Sequence, residues 1–280
     1  MDRRILTSLL LAAALLFSAR PASTQPLWID IQDQSNISFE WLKANYESEL
    51  DFSFFTSTVY LSGTFVVNPS FRIIADIPFS SYSASFDDPY GTSVESSGSV
   101  LGNPYIGVEF GNDERSFFAE GGIRLPAAEH NKRQERNAAN YGRFADFMRL
   151  AAFTDDYIPI CVMLNGQPMW QDGIMRLRLR LGSLILTPNK DRSGGDVFIV
   201  LGAYYIYDTK DFTLRIGYTG ALGFEQDDTF SEAFYDEVGI GVQKQFGNWV
   251  PGIMLRLPLG EPLSETVNYT LGLNVAYRIE

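Results

Sequence analysis

Arg176, Arg178 and Arg180 alternate with Met175, Leu177, Leu179 and Leu181 in this 280-residue chain. In an extended strand the three guanidinium groups share one face at intervals of about 6.6 Å. A row of this kind attracts anions where it borders water. It serves equally as one side of a salt-bridge network that fills a narrow interior, and the filled network is the favoured reading. Arg72, Arg124, Arg215 and Arg256, with Asp51, Asp76, Glu109, Glu120 and Glu237, fall on the polar faces of other alternating stretches and belong to the same set of inward candidates. Both readings turn all of them inward, so the width of the enclosed space decides between them.

Covalent chemistry has little to work with. His130 is the single histidine and sits in a charged stretch with no nucleophile pattern beside it. General-base work needs hydrogen-bond reach to a positioned partner, so an exposed loop histidine is expected. Cys161 is also single, which excludes an intrachain disulfide and a Cys/His zinc site; it is read as a buried or membrane-facing bystander. Asp87-Asp88 and Asp227-Asp228 read as solvated loop tips. The glycines at 182, 202, 217, 220, 223, 239, 241 and 252 precede no helix, so they mark strand positions that need a small side chain and not phosphate loops. No cofactor, metal or catalytic residue is expected.

The element that explains these faces is the last one. From Thr266 to Glu280, Val267, Tyr269, Leu271, Leu273, Val275, Tyr277 and Ile279 take every second position, and polar or small residues take the rest. Period two means a strand with one apolar face. Some fifteen residues of it, with tyrosines near both ends, exceed the roughly 9–11 that a tilted strand needs to cross a bilayer. The same alternation recurs at 70–81, 103–111, 116–126, 174–186, 195–207, 212–224, 234–246 and 249–259, more weakly at 49–67, and poorly at 157–164 where Pro159 interrupts it. Connections alternate short and long, as expected of an antiparallel outer-membrane β-barrel with periplasmic turns and longer extracellular loops. Eleven strands are counted from Glu49 onward. A twelfth must come from 28–41 or from a break near Thr56 to Gly63, so about twelve are expected, with ten and fourteen as the neighbouring counts.

Two segments depart from alternation. Arg3 and Arg4 precede an apolar run to Phe17 and small residues near Ala19 to Thr24, the pattern of a secretory signal peptide over residues 1–24, with the barrel over 25–280. Residues 127–156 carry Lys132, Arg133, Arg136, Arg143 and Arg149, and from Asn137 onward Tyr141, Phe144, Phe147, Met148 and Ala151 fall at helical spacing. This is expected to be a helix-containing extracellular loop that plugs, lids or caps the barrel. A net charge of −12 argues against nucleic-acid partners.

Three stretches carry a narrower likeness. Ile73-Ile74-Ala75-Asp76-Ile77-Pro78-Phe79, Gly102-Asn103-Pro104-Tyr105-Ile106-Gly107-Val108-Glu109-Phe110 and Gly121-Gly122-Ile123-Arg124-Leu125-Pro126 resemble consecutive strands of the outer-membrane transporter-like family known as the putative meta-pathway of phenol degradation. That resemblance implies a channel for small, often aromatic or apolar, compounds. The terminal alternation is similar to the signal read by the barrel-assembly machinery, although Glu280 stands where such signals end in an aromatic residue. The leading expectation is a passive outer-membrane channel or transporter that touches lipid and, through Lys132, Arg133, Arg136 and Arg143, lipopolysaccharide. A structural or adhesive barrel with a filled lumen is second, and a membrane-embedded lipid enzyme third.

Overall fold

A computed structural model describes residues 34–46, 53–87, 93–112, 114–128, 130–189, 194–223 and 233–279. The expected signal peptide, Asp51, Asp88 and Asp227-Asp228 lie outside them. The alternating stretches form β1 (Ser35–Tyr46), β2 (Ser53–Asn68), β3 (Phe71–Asp87), β4 (Ser93–Leu101), β5 (Tyr105–Gly111), β6 (Phe117–Arg124), β7 (Tyr157–Gly166), the short β8 (Met169–Trp170), β9 (Met175–Pro188), β10 (Asp196–Asp208), β11 (Phe212–Gly223), β12 (Phe234–Lys244), β13 (Trp249–Pro258) and β14 (Val267–Ile279). Each pairs antiparallel with its neighbour, β9 with β10 and β14 with β1, so the sheet closes as a twelve-stranded barrel. β4 and β5 count as one strand in two pieces, and β8 is a rung on β9.

β1 supplies the twelfth strand. Its outward Ile37 and Phe39 lie opposite Tyr277 and Val275 of β14, while Asn36, Ser38 and Glu40 turn inward. β2 runs unbroken through residues 56–63. Outside the barrel the apolar stripe has no protein cover: Leu271, Leu273, Leu179 and Leu181 are 41–56% exposed. Trp249 and Tyr277 meet edge to face at 4.9 Å near the rim of the short turns, where amphipathic rings sit at a membrane interface. Unsheltered apolar faces on a closed sheet are stable only when lipid covers them, so the chain is an outer-membrane barrel.

One level of the wall is interrupted. Pro78 cannot donate to the ladder, and opposite it Gly102-Asn103-Pro104 separates β4 from β5. β3 pairs β5 below this level through Asp76 and β4 above it from Phe79. Residues 130–156 fold inward here. They form α1 (Arg133–Ala145) and a 3₁₀ segment (Phe147–Phe153). Lys132 and Glu135 start α1, with the Lys132 N–H donating to Glu135 Oε2 at 3.0 Å. Ala138, Ala139 and Gly142 turn the small face of α1 to the wall, and the Ala138 carbonyl accepts from Ser80 Oγ at 2.7 Å. The helix starts four residues before the onset read from Asn137, because its first turn is polar and carries no apolar periodicity.

Candidate functional site: the filled lumen

All the described residues proposed as lumen-facing are inside. Arg72, Arg124, Arg176, Arg178, Arg180, Arg215 and Arg256 are 1–6% exposed, and Asp76, Glu109, Glu120 and Glu237 are 0–5% exposed. Side chains along a wide water-filled pore would present more surface, so at these levels the lumen is packed. Strand alternation puts each of them there, and the pairs they form are close. Arg124 grips Asp76 with two parallel bonds of 2.8 and 2.9 Å, a fork-to-fork geometry. Arg180 meets Glu120 at 3.0 Å, Arg256 meets Glu237 at 3.1 Å, and Arg72 lies 3.8 Å from Glu109.

The plug joins this network. Arg149 pairs with Glu40 of β1, bonds Asp146 through Nε at 2.6 Å, and lies 3.5 Å over the Tyr60 ring. Arg256 reaches Asp146 at 3.1 Å and donates to the Ala145 carbonyl at 2.7 Å. Tyr141 packs against Tyr46, Phe54 and Tyr82, with ring centroids 4.7–5.3 Å away. Asn103 ties the wall break to the plug. It donates from Nδ2 to the carbonyls of Ala151 and Thr154, at 3.2 and 2.6 Å, and accepts at Oδ1 from the N–H groups of Ala127 and Ala128, at 2.9 and 2.8 Å. The segment expected to plug, lid or cap is therefore a plug.

Between plug and wall, at the extracellular end, lies a cleft of about 450 Å³. Phe144, Phe147 and Leu150 line it from the plug, and Tyr157, Leu186, Phe198 and Tyr235 from the wall, with Asn140, Arg143, Asp155 and Asp196 as polar groups. Phe147 and Tyr235 stack at 4.0 Å with 14° between planes. A cavity of this size, with the rings of Phe144, Phe147, Tyr157, Phe198 and Tyr235 beside polar groups, suits a small molecule.

His130 corrects an expectation. Its side chain is 5% exposed and not solvated, with Nδ1 3.4 Å from Asp155 Oδ2. Burial pushes its pKa below the ordinary imidazole value; Asp155 opposes that and Arg143 adds to it. Cys161 is buried on the inner face of β7, within the first of the two readings given for it. Gly217 leaves the space that the Tyr204 ring occupies.

Glu40, Asn103, Arg115, Asp146 and Arg149 are central to the lumen yet absent from the candidates read in the sequence. Glu40 was legible, since Ile37, Phe39 and Trp41 fix the outer face of β1. The others sit at a break, a turn and a helix end, where no period assigns a face.

No protein-family description and no curated protein matches the chain. Among solved structures it is similar to an outer membrane channel from Pseudomonas putida, with TM-score 0.59 and 12% identity over 91% of this chain and 99% of that one. It is also similar to the β domain of the Bordetella autotransporter BrkA, with TM-score 0.49 and 10% identity over 88% and 100%, and to the NanC porin, with TM-score 0.48 and 9% identity over 88% and 100%. At these identities the likeness is one of fold, that of an outer-membrane β-barrel.

Proposed function

We propose that this barrel admits small apolar or aromatic molecules through the outer membrane, with the inward-folded segment as its gate. The observation that carries the reading is the aromatic cleft of about 450 Å³ open at the extracellular end between plug and wall. Below it, buried ion pairs fill the straight path, so passage requires the plug to shift. Exposed Lys132, Arg133 and Arg136 at the same end support contact with anionic lipopolysaccharide, and the β14 alternation supports recognition by the barrel-assembly machinery.

Uptake of radiolabelled toluene by cells with and without the protein, beside Tyr235→Ala, tests this reading. Faster uptake with the native chain and a several-fold loss in the variant are expected. Equal uptake in all three strains removes it. The packed lumen itself favours the second reading, a structural barrel whose function lies in its external loops, and that reading expects no uptake and no change with Tyr235→Ala. A phospholipid-hydrolysis assay on the purified chain addresses the enzyme reading.

A further inference from the structure

The cleft and the packed lumen meet at one place. Tyr235 and Glu237 are same-face neighbours on β12, about 6.6 Å apart along the strand; Tyr235 lines the cleft, and Glu237 is buried one step further into the lumen. The plug is arranged alike. Phe147 lines the cleft, and Asp146, which adjoins it in sequence, is buried at the junction of α1 and the 3₁₀ segment.

Two rungs therefore join plug to wall here. The upper rung is the stack of Phe147 on Tyr235, with centroids 4.0 Å apart and 14° between planes. The lower rung is Arg256 of β13, whose Nη1 lies 3.1 Å from both Glu237 Oε1 and Asp146 Oδ1 and whose Nη2 donates to the Ala145 carbonyl at 2.7 Å. Because Phe147 and Asp146 share a peptide bond, whatever moves the upper rung moves the lower one.

A planar ring that enters between Phe147 and Tyr235 gains an aromatic face on each side. It needs a van der Waals separation of about 3.5 Å from each, so the two rings have to part by about 3 Å. Contacts of 2.7 and 3.1 Å stretched by that much are broken. A ligand shifts an equilibrium only by its differential affinity for the two states. Here the difference is the second ring face, which only the displaced plug offers. A saturated ring has no π face to gain and fills the cleft beside the intact stack.

We infer that the stack of Phe147 on Tyr235 is the trigger of the gate and sets the class of molecule that works it: a planar aromatic ring intercalates there, parts Asp146 and Ala145 from Arg256, and frees the plug. The statement rests on the reading of the cleft as the entry site and adds what opens the path below it.

Amide exchange and calorimetry on the full chain in detergent, with benzyl alcohol and cyclohexylmethanol as probes, test the trigger. Both alcohols are expected to bind, and only benzyl alcohol to speed exchange over residues 143–153 several-fold. Phe147→Leu and Tyr235→Leu, checked for folding by heat-modifiable gel migration, are expected to bind the alcohol and lose the acceleration. Tyr235→Phe keeps the ring and is expected to retain it. Asp146→Asn weakens the lower rung, so benzyl alcohol is expected to bind more tightly, part of the cost of parting having been removed, and cyclohexylmethanol to bind as before. If Asp146→Asn does not fold, the leucine and phenylalanine variants carry the test. Benzyl alcohol that binds without faster exchange, equal acceleration by both alcohols, or acceleration that persists in both leucine variants overturns the inference and leaves the cleft as an entry site with another trigger. Binding of neither alcohol removes the cleft reading and the trigger together.

Discussion

At the residue scale, the lumen turns on side chains that satisfy several buried groups at once. The four side-chain bonds of Asn103 go to backbone groups of the plug and its leading strand end. In Asn103→Ala those carbonyls and N–H groups lose their partner while the wall keeps its ladder, at a cost of about 1 kcal/mol per bond. A loss of about 2–4 kcal/mol from plug docking is therefore expected, read as faster amide exchange over residues 125–155 with unchanged exchange in β9 to β14. Uniform loosening of the whole barrel would show that Asn103 holds the wall and not the plug. Arg149 is a sharper case, because Glu40 and Asp146 both depend on it. Arg149→Met leaves a buried carboxylate pair short of its cation, which typically costs about 3–5 kcal/mol. The double variant Arg149→Met with Glu40→Gln is expected to recover a large part of that loss in thermal melting.

At the element scale, the plug is held at both ends, and one end carries a titratable group outside the spanning strands. His130 faces Asp155, with Arg143, Glu135 and Asp156 contributing charge around it. Burial depresses its pKa, so on acidification the undocked segment takes up the proton before the docked one does. The stabilisation is complete above the ordinary imidazole pKa and is lost as pH falls through the depressed value. Amide exchange of 130–155, corrected for intrinsic rates, is therefore expected to be faster at about pH 5 than at about pH 8, and His130→Gln is expected to flatten the difference. A difference that persists in the variant would assign the titration elsewhere. The strands themselves were readable because lipid and lumen impose opposite chemistry on alternate residues, as in Leu177, Leu179 and Leu181 against Arg176, Arg178 and Arg180. The plug was readable only as an amphipathic helix. Its small face of Ala138, Ala139 and Gly142 packs on Ser80 of the wall, tens of positions away, and on Phe153 of the plug, past a kink, and nothing local records those partners. His130 was misread for the same reason: charged neighbours in sequence suggested solvent, whereas the chain folds them over the barrel mouth.

At the scale of the whole molecule, closure of β1 on β14 makes a wall that needs no second layer, and the plug decides whether the enclosed space conducts. Replacing residues 129–155 by a short Gly-Ser linker removes Asp146 and Arg149 together and leaves the wall ladder intact. Water then reaches the inner face, where Arg72, Arg115, Arg124, Arg176, Arg178, Arg180, Arg215 and Arg256 outnumber Glu40, Asp76, Glu109, Glu120 and Glu237. Guanidinium groups lining a hydrated pore draw anions into it. The native chain is expected to be silent in planar bilayers, and the deletion variant to conduct steadily with a reversal potential in a potassium chloride gradient that favours chloride. Gly142→Leu should give a milder form of the same opening, since a Cβ there would lie 2.7 Å from the Phe153 ring and 2.9 Å from Ser80 Cβ, forcing the plug off the wall by overpacking. A deletion variant that folds, shown by heat-modifiable migration, and yet stays silent would place the closure in the arginine network itself. Cation preference would mean that the wall arginines remain neutralised by their carboxylate partners after the plug is gone.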